Sequence, residues 1–433
     1  MTFTATAGRT RNRLWRHRDF RVFWTGETTS QVGSAVTIVA LPLVAVKLHA
    51  STFAISLLTA GTWLPWLALG LPAGAWVERL SRRRGMLACD AVSFVAFISV
   101  PVAAWCGALR VAQLVAVALI AGGASVFFST AYQVYLPSVV DRDDLTEANA
   151  KLTGSRSAAQ VAGPGVGGTI AQAVGATAGL LADALSFAVS FACLIAIRSR
   201  EELIRADAVT SKRQLGKEVL DGLHLVVADK FLRPQLAFAA AANLFLTGLD
   251  ALFVVFLVRT IGSSPGTAGL VLALGSAGGV IGAVAARPLA TRWGTSHAIL
   301  TAVLGGLPFA VLMPLTGRGA GLLLFVGADF MVAAGVVAFN VIAASWRQTY
   351  VPAEILGRVS SCVMTLSYAM MPPGAVIAGI LGQALGIRTT LWVLATGIAA
   401  SSLFCVASPM RRLRDLPAAP ATPASHHPQP SSY

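Results

Sequence analysis

The stretch GAWVERLSRRR, residues 74–84, stands between two apolar runs that are each long enough to cross a lipid bilayer. Its spacing is a glycine, three residues, the pair Glu78–Arg79, two residues and then three arginines. Arginines beside a membrane span hold that side of a protein in the cytoplasm. The Glu78–Arg79 pair can also bond to a neighbouring helix end, so the stretch predicts a latch between two helix bundles.

The composition is that of a membrane protein. Of the 433 residues, 55% are apolar and only 12% are charged, whereas about 25% of the residues of a soluble protein are charged. The chain holds roughly twelve apolar runs of the length, about 20 residues, that a transmembrane helix needs. Because the turns between them are short, we predict an all-α membrane protein with twelve helices in one bundle.

The net charge of +14 is distributed by side. Nucleic acid is a partner to consider for a basic soluble protein, but here the charge sits in loops, so no nucleic acid is expected. With the N-terminus inside, 28 of the 33 lysines and arginines fall on the inner side. This split predicts that both termini are cytoplasmic. The five cations on the outer side are Lys47, Arg110, Arg259, Arg318 and Arg388.

The sequence divides into five segments. We expect a basic cytoplasmic arm at 1–19 and a charged cytoplasmic loop at 198–230, which separates six helices in 20–197 from six helices in 231–410. The tail at 411–433 is rich in Pro, Ala and Ser, a composition typical of disorder.

The two halves repeat. Gly74 and Arg79 recur 208 residues later as Gly282 and Arg287, and the Pro-Gly pair that begins at Pro164 recurs 209 residues later. Parallel repeats of this kind build one class of transporter fold. We therefore expect two six-helix halves related by pseudo-symmetry.

Residues 74–84 resemble the motif between the second and third helices of the major facilitator superfamily, Gly-x-x-x-Asp-Arg-x-x-Arg-Arg. Glu78 stands for the usual Asp, and Ser81 for the usual Gly. Asp90 lies shortly after the arginine cluster, and we expect the two to pair. The residues of this expected conformational latch are Gly74, Glu78, Arg79, Arg83 and Asp90.

A second motif, GPGVGG at residues 163–168, lies inside the fifth apolar run. Proline removes a backbone donor, and glycines let a neighbouring helix approach closely, so a pliable packing seam is expected. The pattern Gly-Pro-x-x-Gly-Gly at Gly163, Pro164, Gly167 and Gly168 resembles the helix-5 motif of exporters in the superfamily, which are usually proton antiporters. An ordinary packing face is the alternative. A dinucleotide site is excluded because no strand precedes the glycines.

Three further stretches, at 20–26, 136–149 and 183–187, resemble the macrolide-efflux and enterobactin-exporter-like branch of the same superfamily. The likeness extends from about residue 18 to residue 405. It implies efflux of a hydrophobic or amphipathic small molecule, such as a drug, a macrolide or a siderophore, in exchange for protons.

Acidic residues inside a bilayer are expensive and are functional candidates by default. Glu27, Asp250 and Asp329 lie on helices 1, 7 and 10, which the resemblance places around a central cavity. Glu27 is the first residue of a polar stripe with the spacing i, i+4 and i+7 on its helix. Asp250 is the last residue of a second stripe with the same spacing. We expect these three acids to exchange protons or to bind a cationic group of the substrate. The alternative is that each joins helices by hydrogen bonds.

Other polar and aromatic side chains are candidates for the lining of the same cavity. A lining of this kind suits a bulky, partly apolar ligand, although aromatic residues at helical spacing more often belong to packing. The predicted lining is Trp24, Gln31, Phe128, Tyr132, Asn243, Asn340 and Trp346.

We expect no enzyme activity, metal or cofactor. The chain lacks the ATP-binding pattern Gly-x-x-x-x-Gly-Lys-Ser/Thr, and its five cysteines lack metal-ligand spacing. The predicted protein is a monomeric secondary transporter of a bacterial plasma membrane. Two alternatives remain: an importer of a small nutrient on the same fold, and a membrane sensor or partner protein that transports nothing.

Overall fold

A computed structural model describes residues 14–77, 81–141, 144–198 and 226–418, and these residues are almost entirely helical. The described part of the chain contains twelve long helices, some of them in two segments. In chain order they are α1 (Arg18–Lys47), α2 (Thr52–Val77), α3 (Arg82–Trp105), α4 (Val111–Tyr135), α5 (Leu145–Ala173), α6 (Ala176–Ala196), α7 (Leu232–Val255), α8 (Pro265–Ser276 and Gly278–Trp293), α9 (Thr295–Gly306, continued by a 3-10 segment Leu307–Leu315), α10 (Leu322–Tyr350), α11 (Ala353–Ala369 and Met371–Leu385) and α12 (Ile387–Ser401 and Leu403–Val406).

Eleven of the helices in the described ranges are long and apolar enough to cross a membrane. The twelfth, α5, is less apolar because its sequence is rich in Gly, Ser, Thr and Gln. Its 29 residues span about 43 Å at 1.5 Å per residue. It packs along α1 and α8, which both belong to the membrane bundle. The prediction of a twelve-helix all-α membrane fold is therefore confirmed.

The helices pack in the same pattern in each half. Helix α1 contacts α5 and α6, as α7 contacts α11 and α12, and α2 contacts α4, as α8 contacts α10. The turn between α5 and α6 contains Gly175, with φ 105°, and the turn between α11 and α12 contains Gly386, with φ 84°. Glycine adopts this backbone region without steric cost. Pairing and turns together agree with the predicted pseudo-symmetry.

Small residues bring α1 and α6 together. A Cβ atom at Gly26 would lie 2.8 Å from Cys193 Cβ, so a side chain there would push the helices apart. About three turns along, Asp183 on α6 is buried and accepts a 2.5 Å hydrogen bond from Thr37 on α1. Asp183 therefore joins two helices of the same half.

Helix α1 packs on α5 in the same close manner. A Cβ atom at Gly167 would lie 2.8 Å from the carbonyl oxygen of Val36 and 3.2 Å from its Cα. Backbone atoms cannot rotate away as side chains do, so the helices would have to separate. Gly154 lies on the same helix, and an added Cβ there would meet nothing within 4 Å.

The segment after α12 packs against the second half. Met410 and Leu416 are buried, Ser296 Oγ donates to the Met410 carbonyl at 2.6 Å, and Trp346 Nε1 donates to the Pro417 carbonyl at 2.9 Å. A composition rich in Pro, Ala and Ser predicted a disordered tail from residue 411, but the buried Leu416 side chain and the bond from Trp346 hold residues 411–418 against the bundle. Residues 419–433 lie outside the described ranges.

We expect Gly167→Leu to destabilise the protein by about 1–3 kcal/mol, the usual cost of overpacking a tight contact. Thermal unfolding in detergent measures the change, and Gly154→Leu on the same helix is the matched control. Equal melting temperatures for the two variants would contradict the close packing of α1 on α5.

Candidate functional site

The bundle has two ends, which we name by the course of α1. The inner end is the end at which α1 begins, and the outer end is the opposite one. Because successive helices reverse direction, odd-numbered helices begin at the inner end and even-numbered helices at the outer end. The depth of a residue then follows from its distance along its helix at 1.5 Å per residue.

At the outer end, α5 of the first half touches α8 of the second half through backbone atoms. A Cβ atom at Gly168 would lie 2.8 Å from Gly269 Cα. One turn further out, Gln172 Oε1 accepts hydrogen bonds from the Gly266 amide at 3.0 Å and from Ser264 Oγ at 2.9 Å. These contacts join the two halves at the outer end.

A second contact, between α2 and α11, closes the other side of the same end. A Cβ atom added at Gly379 would lie 2.9 Å from Ser56 Cβ, and one added at Gly382 would lie 2.7 Å from Thr52 Cγ2. Thr52 is the first residue of α2, so this contact also lies at the outer end. The two contacts are related by the pseudo-symmetry of the halves.

Toward the inner end, the face of α5 that meets α8 becomes exposed. Ser157 lies eleven residues, or about three turns, before Gly168 and is exposed, as is Gln160, one turn before Pro164. On α8, Val284 is 70% exposed and Arg287 is also exposed. The two helices therefore diverge into an open space, which we call the inner cleft.

The helix-5 motif lies at the point of divergence. A Cβ atom at Gly163 would overlap Ala35 of α1, and Gly167 meets Val36 of the same helix. On the other side, a Cβ atom at Gly269 would overlap the Pro164 carbonyl, beside the contact with Gly168. Two positions of the motif thus serve packing within the first half, and two serve the junction between the halves.

Glu27 lies about 14 Å from the start of α1, counted over nine residues. Its side chain is half-buried, and Oε1 accepts a 2.7 Å hydrogen bond from Gln31 Nε2. It borders a crevice between α1, α4 and α6 that Phe128 and Ser190 also line. Ser34, the third residue of the predicted stripe, is exposed.

Asp90 lies beside Glu27 instead of beside the arginine cluster. It is 1% exposed, it lies near Ser190 of α6, and Glu27 is a charged neighbour. The expected pairing with the arginines is wrong because α3 turns Asp90 toward the interior of the first half.

Arg83, the other described side chain of the expected latch, binds the end of α6. Its guanidinium donates to the carbonyls of Leu194 at 2.9 Å and Ile195 at 2.8 Å. A cation is favourable at the C-terminal end of a helix. Gly74 lies in the last turn of α2, and Glu78 and Arg79 lie outside the described residues.

Asp250 and Asp329 form a pair in the second half. The carboxylates interact electrostatically, Asp250 is exposed, and the Asp329 side chain lies against Gly275 of α8. Asp250 is five residues from the outer end of α7, and Asp329 is seven residues from the outer end of α10. The three acids predicted to share one gap thus occupy two depths.

The predicted lining residues have different environments. Tyr132 stacks on Phe23 at 5.6 Å and Trp24 packs on Trp15 at 5.1 Å, in an aromatic cluster at the inner end of the first half. Asn340 is exposed and Asn243 is half-buried.

Trp346 does not line the cleft. It is 4% exposed, stacks on Tyr350 at 4.4 Å and bonds to Pro417. The prediction is wrong for Trp346 because residues 411–418 cover this part of α10.

Two groups escaped the sequence analysis. Arg156 was counted among the loop cations, although it lies eleven residues inside α5. It is exposed and interacts electrostatically with Glu27 and Tyr132. His17, Asp141 and Asp144 bring ligand-type atoms within 4.8 Å of one another at the inner end. Counting residues from the start of the helix could have shown that Arg156 lies inside it. Only the folded structure shows that His17, Asp141 and Asp144 come together.

Residues 14–432 match the family model described as transmembrane secretion effector. The chain belongs to this family, which is part of the major facilitator superfamily. Among curated relatives, the multidrug efflux pump Tap of Mycolicibacterium fortuitum is 27% identical over 403 residues, covering 90% of this chain and 96% of the relative. The protein of the same name from Mycobacterium tuberculosis H37Rv is 28% identical over 401 residues, covering 89% and 92%.

Solved structures share the fold. A crystal structure of the nucleoside transporter NupG gives a TM-score of 0.72 at 11% identity, covering 92% of this chain and all of that one. A bacterial homologue of the iron transporter ferroportin gives 0.72 in its inward-facing state, at 16% identity with 90% and 98% covered. The outward-facing state of a ferroportin homologue gives 0.57 at 18% identity, with 90% and 99% covered. These likenesses show that the chain shares the fold of these transporters.

We expect Gln172→Ala to loosen the outer junction because it removes two hydrogen bonds between the halves. Spin labels at Ala108→Cys and Gly317→Cys, on outer turns of the two halves and in a background without native cysteines, should report longer distances. Gln113→Ala is the matched control, since the described hydrogen bonds of the Gln113 side chain go to Ser99, within the first half. Unchanged distances in Gln172→Ala would contradict this role.

Proposed function

We propose that the chain is a proton-coupled exporter of hydrophobic or amphipathic small molecules in a bacterial plasma membrane, with both termini in the cytoplasm. The observation that carries the proposal is the combination of a cleft that opens at the inner end with carboxylates held at two membrane depths. The printed names of the Tap relatives, multidrug efflux pumps, support efflux of drug-like molecules. The protein acts as a monomer and needs no catalytic residue, metal or cofactor.

The inner cleft receives the cargo from the cytoplasmic side. Aromatic side chains at the inner end of the first half offer flat apolar surfaces, and the exposed face of α5 adds hydroxyl and amide groups. Export then requires the α5–α8 and α2–α11 contacts to separate while the inner ends approach each other. Rocking of two rigid halves about a fixed site is how such repeats provide alternating access.

The acid pair Asp250–Asp329 is suited to proton exchange. Two ionised carboxylates close together in a low-dielectric region repel each other strongly, so the state in which one of them carries a proton has the lower energy. Opening of the outer end exposes the pair to protons outside, and reversal of the rocking motion carries them inward. Glu27, at the depth of the inner cleft, exchanges a proton or contacts the cargo.

The energy supplied by such an exchange is sufficient for useful efflux. One elementary charge that crosses 100 mV releases about 2.3 kcal/mol. Since each 1.4 kcal/mol corresponds to a tenfold ratio, one proton per cargo molecule supports a gradient of about fifty-fold, and a pH difference adds to this value.

We expect Asp250→Asn and Asp329→Asn each to lower transport driven by a pH gradient by about tenfold, within the usual range of coupling free energies. Exchange of cargo down its own gradient should persist. Proteoliposomes loaded with fluorescent amphiphiles measure both rates, and Glu27→Gln tests the inner acid in the same assay. Glu147→Gln, which removes only an ion pair with Lys151 near the inner end, is the control.

Two results would contradict the proposal. Full coupling in the double variant Asp250→Asn/Asp329→Asn would exclude the acid pair as the proton site. Uptake in whole cells would instead favour a nutrient importer, and absence of movement for every amphiphile in either direction would favour a sensor or partner protein.

A further inference from the structure

We propose that Arg156 anchors an anionic group of the cargo, so that the inner cleft selects amphiphiles that carry a carboxylate, phosphate or sulfonate. This inference rests on the proposed function, because it names the class of molecule that the same cleft transports.

The first observation is the depth of Arg156. Eleven residues separate it from the start of α5, which places its Cα about 16 Å along the helix. Glu27 lies at a similar depth on α1. A charged side chain at such a depth is costly and normally faces a water-filled cavity or a partner. Arg156 is exposed. It lies seven residues, about two turns, before Gly163, on the side of α5 that faces α1 and Glu27.

The second observation is that Arg156 makes no hydrogen bond or ion pair with any residue in the described part of the chain. Its nearest counterpart on α5, Lys151, bonds to Glu147 at 3.2 Å and lies over the Trp15 ring at 5.0 Å. Arg83 is bound to α6 carbonyls. The N–H donors of the Arg156 guanidinium therefore remain available to another molecule. In a buried or structural role, they would bond to residues of the protein.

The third observation concerns the groups that surround Arg156. It is within electrostatic range of Glu27 and Tyr132, but the described hydrogen bond to Glu27 comes from Gln31. Thr153 and Gln160, one turn to either side on α5, are exposed polar groups. The site thus combines one cation with neutral donors and acceptors and with the Gln31-bonded carboxyl of Glu27, beside the aromatic cluster of the first half.

The opposite wall of the cleft also carries a positive charge, as Arg156 does. Arg287 on α8 is exposed on the opposite wall, nearer the inner end. Cations that line a cleft raise the local concentration of anions, so an acidic amphiphile is attracted from the cytoplasm and a basic one is repelled. The guanidinium presents five N–H donors in a planar fork, which matches the two oxygens of a carboxylate or phosphate. The apolar part of the cargo then rests on the aromatic cluster.

Three fluorescent amphiphiles with the same apolar body and a carboxylate, a neutral amide or a quaternary ammonium group test the proposal. Binding to the purified full-length protein in detergent is measured for the wild type, Arg156→Gln, Arg156→Lys and the control Lys151→Gln. We expect the wild type to prefer the carboxylate probe and Arg156→Gln to lose about tenfold of that affinity, a typical value for one charged hydrogen-bonded contact. Arg156→Lys should retain an intermediate affinity, and Lys151→Gln should match the wild type.

Affinity for the amide probe should be unchanged in every variant, which shows that the cleft remains folded. A wild type that does not bind the carboxylate probe more tightly than the amide would overturn the proposal, as would equal losses for all three probes in Arg156→Gln. Because this assay measures binding, it separates the inference from the proposed function: selective binding without movement under a pH gradient would leave Arg156 as the anion site and refute proton-coupled export.

Discussion

Close approach of backbones at the outer end is the constraint on which the rest of the structure depends. Gly168 and Gly269 let the backbones of α5 and α8 cross at close range. On the other side, Gly379 and Gly382 let α11 pack on the Ser56 and Thr52 side chains of α2. Apolar side chains cannot supply this adhesion in a bilayer, because lipid tails solvate them equally well. The contacts instead combine dense packing with the hydrogen bonds of Gln172.

The same constraint explains where the charges lie. When two helices touch at one end and diverge at the other, polar residues on the facing surfaces are excluded from lipid but remain open to water. Arg156 and Glu27 lie on such surfaces in the first half, at similar depths. Asp250 and Asp329 lie nearer the closed end, where the two carboxylates repel each other. The residues proposed to attract cargo and those proposed to exchange protons thus lie at different depths of one cleft.

Much of the fold could be predicted from the sequence. Apolar runs give the helices, the distribution of arginines gives an orientation, and the repeat of Pro164 and Gly74 gives the two halves. Rotation of each helix about its axis could not be predicted, because nearly uniform apolar faces give little periodicity. For this reason the sequence indicated three separate acids, whereas the structure pairs Asp250 with Asp329 and turns Asp90 toward Glu27. Trp346 was wrongly predicted to line the cleft because the residues that bury it, 411–418, are distant in the sequence. Arg156 was missed because it follows an inner loop that is also basic.

The asymmetry of the cleft can be measured directly by the reaction of single cysteines with a membrane-impermeant maleimide. In a background without the five native cysteines, Ser157→Cys probes the inner half of α5 and Ala273→Cys, which packs on Gly165, probes the α5–α8 junction. We predict that Ser157→Cys reacts in inside-out vesicles and not in right-side-out vesicles, and that Ala273→Cys reacts slowly in both. Rapid reaction of Ala273→Cys from the outside, with Ser157→Cys protected from the inside, would contradict it.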